Sequence, residues 1–111
     1  MSSGKFLGKI STFRVGIGGY DDAMFGYWFT LSYDGCMGVG GGNGPWTVER
    51  TDRCKWTEAD RSAQFDAVMR DLWKFVRQAK KRDVAELVGV PVEVTIEDGR
   101  LQSWRILEEV L

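Results

Sequence analysis

Apolar and polar positions alternate in the first part of this chain, recur at helical spacing in the middle, and alternate again near the end. From Lys9 to Ile17 the alternation is imperfect, with Ile10, Phe13, Val15 and Ile17 as its apolar members. Phe25 to Tyr33 is dense in aromatics around Trp28, Phe29 and Leu31, which suits a strand with much of both faces covered. Tyr33-Asp34-Gly35-Cys36 marks a tight hairpin turn, because Asp-Gly readily supplies positive φ angles. The returning strand is expected over Cys36 to Val39. Pro45 to Arg50, where Trp46 and Val48 alternate with Thr47 and Glu49, predicts a further strand.

The spacing then changes to that of a helix. Thr57 is a natural N-cap, since its hydroxyl accepts from an otherwise unpaired amide of the first turn, and Asp60 completes a capping box. Phe65, Val68, Met69, Leu72, Phe75, Val76 and Ala79 recur at three- and four-residue steps, and Trp73 widens the apolar face. Glu58 and Asp60 open the segment and Lys80, Lys81 and Arg82 close it, complementing the helix dipole. A helix from about Glu58 to Lys81 would be about 35 Å long. Asp83 then predicts a capped turn ending near Gly89. Val92, Val94 and Ile96 alternate with Glu93, Thr95 and Glu97, Asp98-Gly99 turns the chain, and Leu101 to Leu107 returns.

Strands, one long helix, then a hairpin, without βαβ repetition, predict an α+β fold: an antiparallel sheet packed against one helix. The 111 residues fit a single domain, with a glycine-rich β half over 4–50, the helix over about 58–81 and the hairpin over about 92–107. Twelve of the fourteen glycines lie within residues 4–44. No apolar run approaches the roughly 20 residues of a membrane span, and Met1-Ser-Ser-Gly-Lys5 lacks the apolar core of a signal peptide. Cys36 and Cys54 stand too far apart for a CxxC pair and read as free, buried thiols of a reducing compartment. A cytoplasmic protein is expected, with no membrane partner.

The inventory narrows the chemistry. With no histidine, the chain has no Ser-His or Cys-His pair and no His-containing metal site. Two cysteines do not close a structural zinc centre, and the carboxylates fall into no calcium or dinuclear pattern. No enzyme activity, catalytic residue, metal or cofactor is therefore expected. With 15 basic and 16 acidic side chains, binding of nucleic acid through bulk charge is not favoured, although a local basic patch remains open.

Two glycine runs, Gly16-Ile17-Gly18-Gly19 and Gly38 to Gly44, invite a phosphate-loop reading. Neither completes GxGxxG, neither leads into a helix, and no GK[ST] follows. Tight turns in a glycine-rich sheet are the commoner reason for such runs. The candidate binding region is nonetheless placed there: Tyr20, Asp21 and Asp22, the Gly38–Trp46 loop with Gly40, Gly41 and Asn43, Trp46 and Tyr20 as flat contacts, and Arg14 or Arg50 to neutralise an anion. The alternative is a basic stripe of Lys74, Arg77 and Lys81 toward the helix end, spaced to share one side. A solvated helix end, which favours cations anyway, accounts for that stripe without any partner.

Four stretches carry a resemblance: Gly19-Tyr20-Asp21-Asp22-Ala23-Met24-Phe25-Gly26, Lys55 to Arg61, Leu87 to Val94, and the closing Ser103 to Leu111. On these the chain resembles a family of small uncharacterised proteins carried by bacteriophages and prophages. That resemblance implies the cytoplasm of an infected bacterium, and a binding protein that inhibits a host immune complex, such as a CRISPR effector, by occupying a functional surface. Two other roles stay open: a sponge for a cyclic or phosphorylated nucleotide messenger, and a minor structural or assembly factor. Homo-oligomerisation is compatible with each.

Overall fold

A computed structural model describes residues 3–111. Three strands come first: β1 (Gly4–Gly18), β2 (Met24–Tyr33) and β3 (Met37–Asn43). Helix α1 (Glu58–Gln78) follows, and β4 (Pro91–Glu97) and β5 (Arg100–Ile106) form the closing hairpin. The five strands make one antiparallel sheet in the order β3-β2-β1-β4-β5, so the fold is α+β.

β1 organises the sheet. Its first residues, Gly4 to Lys9, pair with β4, and Gly8 to Gly18 pair with β2. Between Ile10 and Thr12 the register shifts at Ser11, whose Oγ donates to the Thr30 carbonyl at 3.0 Å. A bulge inserts one residue and resets the two-residue period. Phe6 and Ile10 before it therefore share a face with Phe13, Val15 and Ile17 after it, which explains the imperfect alternation of the sequence. That face is the concave one. It holds the buried Ile10, Phe13, Tyr27, Phe29, Leu31, Val92 and Val94. The sheet curls enough that Trp104 of β5 lies 5.0 Å, ring to ring, from Phe29 of β2.

α1 meets this concave side through Phe75, whose ring centroid lies 5.4 Å from Tyr27 and 5.0 Å from Trp104. The Tyr27 hydroxyl donates to Asp71 at 2.9 Å. Val68 and Leu72 are the buried residues of the helix. Its start follows the sequence closely: Thr57 Oγ1 accepts from the Asp60 amide, and the Asp60 carboxylate accepts from the Thr57 amide. Its end comes three residues before Lys81. Ala79 caps it, Lys80 turns to φ 58°, and the Lys81 amide donates to the Val76 carbonyl. This is the closure usually made by glycine.

Both hairpin turns read from Asp-Gly are present, with positive φ at Asp34, Gly35, Asp98 and Gly99. Asp83 caps a short 3-10 turn (Val84–Leu87) by accepting from the Ala85 amide. Three expectations fail. Pro45 to Arg50 is not a strand: Trp46 alone makes a bridge, to Met24, and the Val48 carbonyl accepts from Arg61 instead of a neighbouring strand. The segment after Gly38 is not a loop, because β3 continues through Gly40, Gly41 and Gly42 to Asn43. Cys36 and Cys54 are unpaired but not buried as expected: Cys36 follows the exposed Asp34-Gly35 turn and Cys54 is only partly covered in the long loop. No described helix is long and apolar enough to cross a membrane.

Candidate binding surfaces

Two aromatic rings account for Gly41 and Gly42 of β3. A Cβ at Gly42 would stand 2.3 Å from Cε3 of Trp28, and one at Gly18 would stand 2.6 Å from its Nε1. The indole thus lies flat on the sheet, across the places where those side chains would be, and its N–H donates to the Gly16 carbonyl at 3.0 Å. Phe29 does the same on the other face against Gly41. Close packing, rather than room for a phosphate, accounts for these positions.

The expected site is brought together only in part. Tyr20, Asp21 and Asp22 form the turn between β1 and β2, with Gly19, Asp21 and Asp22 all at positive φ. Tyr20 is 73% exposed. The Met24–Trp46 bridge brings Trp46 to the same end of the sheet, half-buried. Gly40 and Gly41 lie farther along β3, opposite Thr30 and Phe29. Asn43 and Arg50 serve the chain itself: Asn43 accepts from Gln64 at 3.1 Å, and Arg50 donates to the Trp56 carbonyl at 2.7 Å. The groove beside the β2–β3 turn, lined by Leu7, Lys9, Tyr33 and Asp34, is shallow, about 320 Å³.

The basic stripe is also revised. Lys74 and Arg77 are exposed on α1, but Lys81 lies beyond its end, so the three do not share one helical face. What accompanies Lys74 and Arg77 is apolar. Phe65, Met69 and Trp73 follow one another at four-residue steps and are 41%, 66% and 63% exposed. The Arg77 guanidinium lies over the Trp73 ring at 4.7 Å, a cation–π contact. Arg70 stands nearby, paired with Asp66 at 2.8 Å. Met69, Leu72, Trp73, Val76 and Val84 line an open groove of about 400 Å³. Phe65 and Met69 continue the three- and four-residue steps of the buried Val68 and Leu72, yet they lie outside the core. The signal was there in the width of the apolar arc, which exceeds what one concave sheet covers.

No family model, no curated protein and no solved structure matches this chain. Its surfaces are the guide to its chemistry. Among the described residues, no three Cys, Asp or Glu side chains converge as metal ligands. The Cys54 thiol is held below its usual pKa, first by the Thr51 amide and then by the Thr51 hydroxyl, with Arg50 and Arg61 adding positive charge. Arg61 also stacks on Trp56 at 4.3 Å and reaches the Val48 carbonyl at 2.8 Å, which fastens the long loop to the start of α1. These groups organise the loop. The row on α1 offers large rings and a flexible thioether to solvent, beside Lys74, the Arg77 stacked on Trp73 and the Arg70–Asp66 pair, the composition of a protein-contact surface.

Proposed function

We propose that this chain is a non-enzymatic binding protein, a single α+β domain that docks an acidic protein surface onto the outer face of α1. The observation that carries the reading is the exposed row Phe65, Met69 and Trp73 beside Arg70, Lys74 and Arg77. Large apolar side chains on a regular helix are ordinarily turned inward, and three in register form a ready docking stripe. The flanking cations favour a partner with carboxylates around an apolar anchor site and speed its encounter. The resemblance to phage-borne proteins makes a bacterial immune complex the partner to test first, with inhibition by occupation of a surface that complex needs.

The test is a plating assay in bacteria carrying a defined CRISPR effector directed against an infecting phage. The wild-type chain should restore plating, and Phe65→Ser, Met69→Ser, Trp73→Ser in combination should not, while keeping the wild-type circular dichroism spectrum. A Trp46→Ala chain should remain active. Loss in Trp46→Ala with retention in the helix triple variant would move the surface to the β1–β2 turn. Equal plating with wild type and with no protein would remove the immune complex as the target.

A further inference from the structure

We infer that the convex face of β1–β3, opposite the helix side, binds single-stranded nucleic acid, with a base stacked on Trp28 and phosphates drawn to Lys5, Lys9 and Arg14. The face is set by register. Arg14 lies directly opposite Trp28, and Lys9 lies opposite Ser32, so these side chains emerge on one side of the sheet with Lys5. Positions of β1, β2 and β3 that point this way carry three cations and no acid. The adjoining β4 adds Glu93, engaged by Arg105 at 3.3 Å, and the exposed Glu97 at its end.

The floor beside these cations is bare. Gly38, Gly40 and Gly42 project from β3 on this side and are exposed. Trp28 lies flat over Gly42 and Gly18, pinned by its N–H to Gly16, so one ring face is fixed against the sheet and the other is turned outward. A pre-oriented ring on a flat floor suits a base, because every base has a stacking face, and stacking requires no pocket. Lys5 and Arg14 are separated by nine residues of β1, at most about 30 Å, a span for several nucleotides. Arg14 spends one donor on the Ile17 carbonyl, at 2.7 Å, and keeps others for phosphate. An unpaired strand is the occupant because in a duplex the ring faces are already stacked. The net charge near zero does not oppose this, since the cations are gathered on one face.

The experiment is fluorescence anisotropy with a labelled oligothymidylate of about ten nucleotides. Saturable binding below about 100 μM at about 50 mM salt is expected, weakening steeply as salt rises. Lys5→Ala, Lys9→Ala, Arg14→Ala together should weaken it at least about tenfold and flatten the salt dependence. Trp28→Phe should bind nearly as well as wild type and Trp28→Leu about tenfold worse, with circular dichroism confirming that both fold. The helix variant with Phe65, Met69 and Trp73 changed to Ser should bind normally, which separates this inference from the helix-face reading. No binding by the wild type, no loss in the cation triple variant, or equal affinity for thymidine monophosphate or duplex would overturn it.

Discussion

At the scale of single residues, the glycines of β3 are not equivalent. A methyl group at Gly42 would meet both the Trp28 ring and the Tyr27 carbonyl at 2.3 Å, whereas at Gly38 the nearest atom is the Leu31 carbonyl at 3.8 Å. Neither residue has positive φ, so sterics alone separate them. Gly42→Ala should destabilise the protein by about 1–3 kcal/mol through overpacking, and Gly38→Ala by less than about 0.5 kcal/mol. Urea denaturation of the two variants measures this directly. Equal midpoints would mean that the Trp28 ring does not rest on the sheet.

Elements are divided by which face they bury. On α1, Leu72 is buried and Met69, one turn away, is largely exposed. Leu72→Ala should cost about 2–5 kcal/mol, because it empties a packed position beneath the helix. Met69→Ala should cost less than about 0.5 kcal/mol. A chemical-denaturation series that reversed this order would turn the helix over and bury the proposed docking row. The existence, start and approximate length of this helix were legible in Thr57, Asp60 and the apolar spacing. The orientation of Phe65 and Met69 was not, since their spacing continues the period of the core residues. The helix ends at Gln78, short of the expected Lys81, for a different reason. Lys80 adopts a conformation that glycine usually supplies, and no sequence rule announces a lysine there.

Across the whole molecule, helix and sheet are joined by polar links at Gln64–Asn43 and at Tyr27–Asp71, and the second of these titrates. Burial first, then the hydrogen bond to Asp71 and its charge, push the Tyr27 phenol well above its ordinary pKa. The folded state therefore holds this proton more tightly than the unfolded chain, so the stabilisation is present in full below the unfolded value of about 10 and is lost as pH rises from there toward the folded value. Tyr27→Phe should lower stability by about 1 kcal/mol at neutral pH. The difference between wild type and variant, followed by urea midpoints from neutral pH upward, should shrink once pH passes about 10. A flat difference would mean the phenol is solvated in the folded protein.

What the sequence determined by itself was local: the two Asp-Gly turns, the capping box, the strands with clear alternation, and the α+β class that their order implies. Each depends on residues within a few positions of one another. Tertiary structure decided the rest. The bulge at Ser11 put Phe13 on the same side as Ile10, and the curl of the sheet brought Trp104 to Phe29. Trp28 came to lie on glycines from two other strands, Gly18 and Gly42, so the glycine runs that resembled a ligand loop became the bed of an aromatic ring. The same limit governed the candidate site. The Met24 bridge put Trp46 at the same end of the sheet as Tyr20, while Asn43 and Arg50 were claimed by Gln64 and the Trp56 carbonyl. The physical reason is common to all of these: the partners are distant in the chain, and only the closed core determines which of them a side chain meets.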